Sequence, residues 1–205
     1  SELRAWMTAY CGLFAASKSV ERSEWREYIA SVDLAKNYPG IKGVGFVSYV
    51  PRSRLDEFLA STRVDGAPDF SVKPRGARPE YFVVTYIEPL SENAEILGFD
   101  IATDSVSRLP AAEISRDRAR PTVSGKITHA DDPAGPPGFL FLLPVYRSGA
   151  VIETIDERRA ALQGWIYCRF DVRDLMRGIL GGSVQDIAFE IYDGIEIDPE
   201  HVLYR

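Results

Sequence analysis

The sequence predicts an α+β protein, in which an opening helical segment precedes a larger and a smaller half built from antiparallel strands with helices between them. Apolar residues recur at helical steps through roughly the first 35 positions. Strand-length runs of aromatic and β-branched residues take over from Ile41, and turn signals separate them. At 205 residues, 45% hydrophobic and 26% charged, the chain can build one large domain or two small ones sharing a core, and it is too apolar for disorder.

The helical reading rests on two stretches. In the first, Leu3, Trp6, Tyr10, Leu13 and Phe14 share one helical face; in the second, Trp25, Tyr28, Ile29 and Val32 repeat the pattern until Tyr38-Pro39-Gly40 stops it. A helix of that length, bent near Ser17 to Ser19, reaches about 50 Å at ~1.5 Å per residue, which makes it a spine more than a core helix. "IKGVGFVSYV" then reads as a strand, and "RSRLDEFLAST" as a short helix opened by Ser53 with Asp56 three residues on. Residues 69–73 and 80–87 read as strands around the turn "KPRGARP". Asp104 or Ser105 begins a helix that Pro110 kinks or delays. "TVSGKIT" and "GFLFLLPVY" follow as strands around "ADDPAGPP", and "RSGAVIETIDERRAAL" is a polar connection to the strand "QGWIYCRF". "DVRDLMRGIL" is a helix with Asp171 as N-cap, ended by Gly181-Gly182, and "IAFEIYDG" and "HVLYR" close as strands.

Composition removes several function classes. A net charge of -6 disfavours nucleic acid as a partner, whose footprint would be basic. No apolar run approaches the ~20 residues of a membrane span. The two histidines, His129 and His201, do not make a zinc site, which takes three or four ligands at workable spacing. "GVGF" and "LGGS" lack a phosphate cradle with its Lys-Ser/Thr, and Ser124 has no G-x-S-x-G frame. No catalytic constellation, metal set or cofactor motif stands out, so an enzyme is not expected. Cys11 and Cys168 leave a disulfide open, since each thiol also serves as a small buried hydrophobe.

One stretch asks for more than a fold. In "EYFVVTYIEPL", Phe82, Val84 and Tyr86 alternate with Tyr81, Val83 and Thr85, and both sets are largely apolar. A strand buried on both faces accounts for that. Its end does not follow: Glu88 puts a carboxylate on the rim of an apolar wall, and Pro89 stops the ladder. A mostly apolar cavity with one or two fixed polar groups is how small ligands are held. Glu88 is therefore expected at the polar end of a ligand wall, whereas pairing with an exposed arginine would make the strand ordinary core. Asp100 is a further polar partner there or a cap for the helix that follows.

"NYPGIKGVGFVSYVPRSRLDEF", "PDFSVKPRGARPEYFVVTYIEPLSENAEILGFDIATD", "TVSGKIT" and "GFLFLLPVYRSG", in this order and spacing, closely resemble the CHASE domain, the extracytoplasmic sensor of histidine kinases, nucleotide cyclases and plant cytokinin receptors. The resemblance covers almost the whole chain. It implies a helical spine over residues 1–37, a membrane-distal PAS-like ligand-binding domain over 38–146 and a membrane-proximal PAS-like domain over 147–205. It also implies flanking transmembrane helices and an output domain outside this chain, a periplasmic setting in an inner-membrane protein, and a homodimer through the N-terminal helix. By position, Phe70, Phe82, Val84, Tyr86, Glu88, Ser124 and Phe139 would line the cavity for an unidentified small molecule. The family's cytokinin-binding members carry an acidic residue where Pro89 stands here, so the resemblance does not imply a cytokinin. An interaction domain without a small-molecule ligand is the alternative.

Overall fold

The computed structural model describes residues 21–38, 40–127, 137–180, 190–194 and 197–205. Leu3, Trp6, Tyr10, Cys11, Leu13, Phe14, His129 and Gly181-Gly182 lie outside the described residues. The described elements are α1 (Arg22–Val32), α2 (Leu34–Asn37), β1 (Ile41–Pro51), α3 (Leu55–Val64), β2 (Glu80–Glu88), α4 (Arg108–Arg118), β3 (Thr122–Val123), β4 (Gly138–Tyr146), α5 (Ile155–Ala161), β5 (Leu162–Asp171), α6 (Val172–Leu180), β6 (Ile191–Tyr192) and β7 (Val202–Tyr204).

Strands β1 to β5 form one antiparallel sheet in the order β2-β1-β5-β4-β3, and β6 pairs with β7 apart from it. The α+β class is as expected. The division at residues 146 and 147 is corrected. "LQGWIYCRFD" is the central strand, hydrogen-bonded to β1 on one side and β4 on the other, so that boundary would cut the sheet through its middle. The reason is burial. Only a strand with neighbours on both edges and cover on both faces suits a run in which Trp165, Ile166, Tyr167 and Cys168 are all at most 1% exposed.

Each face of the sheet has its own cover. On one, Trp25 and Ile29 of α1 and Leu34 of α2 pack on Val44, Phe46, Val145, Ile166, Cys168 and Phe170. On the other, Ile101 and Ala111 and Ala112 of α4 pack on Val47, Phe82, Val84, Leu142, Trp165 and Tyr167. Trp165 donates its indole N–H to the Ala112 carbonyl at 3.1 Å, so its one polar atom is satisfied at full burial. A satellite cluster sets Leu55, Phe58 and Leu59 of α3 against Val50, Phe70, Tyr81 and Val83.

Local chemistry explains where elements begin and end. Glu21 and Glu24 make a capping box at the start of α1, and Asp33, with φ 49°, ends it in the left-handed region. The described part of the spine is thus broken at Asp33. Trp25, expected to serve a dimer, is wholly buried on this chain's own sheet. A 3-10 turn at Arg52–Arg54 precedes α3, so Ser53 does not cap that helix. Residues 69–73 hold only an isolated bridge from Lys73 to Phe99. Asp104 accepts from the Val106 and Ser107 N–H groups, and α4 starts at Arg108 with Pro110 in its first turn, where a missing N–H costs nothing. The expected polar connection contains α5, opened by a Thr154–Glu157 capping box. Asp171 caps α6 as expected, accepting the Asp174 N–H at 2.9 Å.

Gly45 marks the tightest point of the sheet. A Cβ there would meet the Tyr86 carbonyl oxygen and the Tyr167 ring, whose Cε1 would lie 2.5 Å away. Neither neighbour can move without breaking the β1–β2 ladder or the core. Gly45→Ala is expected to cost about 1–3 kcal/mol or more, the scale of overpacking, read as a lower midpoint in urea denaturation; an unchanged midpoint would contradict the pairing of Gly45 with Ile87 and Tyr167.

Candidate functional site

The alternation of β2 predicts Phe82, Val84, Tyr86 and Glu88 on one face. The structure divides them. Phe46 pairs with Tyr86 while the next residue of β1, Val47, pairs with Val84, which leaves Thr85 as an extra residue on β2. Side chains alternate with period two, so one extra residue sends everything after it to the opposite face. Phe82 and Val84 lie on the α4 face, whereas Tyr86 and Glu88 lie on the α1 face. Thr85, buried in the bulge, donates its hydroxyl to the Val83 carbonyl and shares a 2.6 Å bond with Ser48.

The other expected wall residues are also dispersed. Phe70 meets Phe58 edge-on at 5.8 Å in the satellite cluster. Ser124 serves the β3–β4 ladder: its hydroxyl accepts the Leu140 N–H at 2.9 Å and donates to the Gly125 carbonyl at 2.8 Å. Phe139 stacks on Phe170 at 4.9 Å on the α1 face. Of the seven, the α4 face brings together Phe82 and Val84.

On the α1 face the polar groups hold one another. Asp65, which ends α3, accepts the Arg22 backbone N–H at 3.2 Å and the Tyr86 hydroxyl at 3.1 Å. Arg22 donates Nε to the Asp65 carbonyl at 3.1 Å, and its guanidinium lies 5.0 Å from the Tyr86 ring centroid. Burial pulls the Arg22 pKa below its ordinary value; burial, with the nearby Asp65 charge, pushes the Tyr86 phenol well above its own. Glu88 accepts Nε of Arg26 at 3.2 Å and the Leu90 N–H at 2.9 Å. The Arg26 side chain is 56% exposed. Glu88 thus meets the criterion for ordinary core, and it leaves the ligand-facing set.

Asp100 is fully buried at the outer edge of β2, accepting the N–H groups of Phe82 at 2.9 Å and Ala102 at 3.1 Å. It caps the 3-10 turn at Ile101–Thr103, not the α-helix that follows, and Arg78 approaches its second oxygen at 3.3 Å. Burial nevertheless pushes its pKa up.

The α4 face holds a group the sequence did not single out. Tyr167 is 1% exposed, its ring lies over Gly45, and its hydroxyl has no hydrogen-bond partner among the described residues. Burial pushes this phenol far above its ordinary pKa, and charges from Arg169, Glu95 and Arg108 also act on it. Arg169 donates to Asn93 at 2.7 Å, and Arg108 bonds to Asp104 at 2.9 Å while covering the Phe99 ring at 5.5 Å. Arg169 thus joins Asn93 and Glu95, and with Arg108 over Phe99 they form a polar rim to this face. A separate cleft of about 190 Å³ opens between α3 and the sheet, lined by Ser48, Val50, Phe58, Ser61 and Gln163 among others. Among the described residues no group of acidic, histidine or cysteine side chains could hold a metal ion.

The CHASE domain family matches residues 18–204, nearly the whole chain. The chain belongs to the CHASE domain family. It is thus a sensory signalling domain, and this CHASE domain is similar to hybrid signal transduction histidine kinase A of Dictyostelium discoideum, 24% identical over 175 residues. That alignment covers 76% of the CHASE domain and 8% of the kinase, so the domain spans a small part of its relative. No helix among the described residues of the CHASE domain is long and apolar enough to cross a membrane.

The two polar clusters are expected to differ in energetic weight. Arg26→Ala should cost under ~1 kcal/mol, since one partner of its ion pair is largely solvated. Asp65→Ala should cost about 1–3 kcal/mol, because it strands the Arg22 and Tyr86 donors in a region of low exposure. Urea denaturation of the two variants checks the ranking; equal costs would contradict it.

Proposed function

We propose that this chain is the extracytoplasmic ligand-sensing part of a transmembrane receptor with a histidine kinase or nucleotide cyclase output. In this reading a small molecule is held on the α4 face of the sheet, against Phe82, Val84 and Tyr167. The observation that carries it is the Tyr167 hydroxyl, buried without an acceptor among the described residues. Leaving such a group unbonded costs about 1–3 kcal/mol, so a ligand that brings an acceptor to it binds one arrangement of the domain better than another. The rim of Arg108, Arg169, Asn93 and Glu95 supplies further polar contacts for a small polar molecule. Movement at β5 reaches α1 because the opposite side of the same strand, at Ile166 and Cys168, packs in the cluster of Trp25 and Ile29. The kinase relative supports the kind of output, and the membrane anchors belong to the flanking chain in this reading.

One observation favours the alternative, an interaction domain without a ligand. The α4 face is densely filled, with Phe82 and Trp165 rings 4.7 Å apart. A thermal-shift screen over purines, amino acids, organic acids and short peptides separates the two, run on the wild type and on Tyr167→Phe. The expected result is one compound class that stabilises the wild type. Tyr167→Phe should leave the unliganded melting temperature unchanged or higher, and weaken that compound roughly tenfold or more, the equivalent of about 1.4 kcal/mol. No stabilising compound, or equal binding by both proteins, would count against the site.

A further inference from the structure

Apart from that face, α6 and β7 border a cleft of about 470 Å³ lined by Pro137, Arg173, Arg177, Val202, Leu203, Tyr204 and Arg205. Three of these are arginines, and among the described residues no carboxylate side chain lines the cleft. That is notable in a chain of net charge -6. Arg173 and Arg177 are four apart on α6 and so project from one side of it, while Arg205 comes from the strand side. Two of the three also pair with a carboxylate: Arg177 donates to Asp174 at 2.7 Å, and Arg205 lies 3.1 Å from Glu190. Asp174 is shared with Lys42, so its charge is divided between two cations. The Val172 N–H bonds to the Pro137 carbonyl at 3.1 Å, which fixes the start of α6 against the wall of the cleft.

We propose that this cleft binds a phosphate-bearing anion through Arg173, Arg177 and Arg205. A guanidinium presents paired N–H donors in a plane that matches two oxygens of a phosphate, and three guanidinium groups saturate more oxygens than a carboxylate possesses. The apolar wall of Val202 and Leu203, with the Tyr204 ring, leaves room for a small organic group on the phosphate. A phospholipid headgroup and a soluble phosphoester share this chemistry.

The test is isothermal titration with inorganic phosphate and glycerol phosphate, beside flotation with vesicles of phosphatidylcholine alone or with added phosphatidylglycerol. Arg173→Gln/Arg205→Gln removes two of the donors, and Arg118→Gln/Arg120→Gln, exposed near the end of α4, makes the same change of charge elsewhere. Saturable binding of phosphate or glycerol phosphate is expected, weakened at least tenfold in the first variant and unchanged in the second, with equal melting temperatures. Flotation with phosphatidylglycerol that glycerol phosphate competes away assigns the headgroup; binding of the soluble esters without flotation assigns a free phosphoester. The proposal is overturned if nothing binds saturably, or if both variants bind as the wild type does. Should Arg173→Gln/Arg205→Gln melt early, the single variant Arg173→Lys decides: it keeps the charge, loses the planar fork, and should still bind more weakly than wild type.

Discussion

The extra residue at Thr85 is the constraint on which the rest of the site depends. A strand of alternating apolar residues can present only one set of them to a given neighbour. By inserting one residue, β2 gives Phe82 and Val84 to the α4 side and Tyr86 to the α1 side. One strand then touches both helical layers with its large side chains. The Thr85 hydroxyl supports this by bonding within its own strand and to Ser48. The sheet is therefore a shared wall between two packed layers, and the α1 layer is edged by a polar junction of Arg22, Asp65, Tyr86 and Glu88.

That arrangement suits a sensor. The α1 layer is tied to the sheet by Trp25 and to α3 by Asp65. On the far side, β5 carries Tyr167 toward α4 and Cys168 toward α1 on consecutive residues. Closely packed interiors transmit strain because their side chains have few alternative positions. The two packed layers are thus separated by a single strand thickness.

Much of the fold was legible in the sequence, for identifiable reasons. The β1, β2, β4 and β5 runs carry the aromatic and β-branched residues that a two-sided sheet needs, and Asp171 advertised its cap on α6. The capping box at Thr154 and Glu157 was equally visible, yet charge density around "ETIDERR" masked α5. Two features were not legible. Chain order cannot show that β5 inserts between β1 and β4, because that pairing is long-range, and so a boundary after Tyr146 looked natural. Nor does periodicity reveal a bulge inside a run apolar at every position, since either register buries apolar groups. The residues expected to form one wall, Phe82, Val84, Tyr86 and Glu88, are divided there between the two faces of the sheet.

The most direct test of the divided strand is a nuclear Overhauser measurement on aromatic side chains of the labelled protein. The bulge predicts cross-peaks from the Tyr86 ring to Trp25, whose ring centroid is 6.3 Å away, and from Phe82 to Trp165 at 4.7 Å, with none between Tyr86 and Trp165. Cross-peaks from Tyr86 to Trp165 or Ala112 would place all the even-numbered residues of β2 on one face, and would contradict the division of the strand on which the site rests.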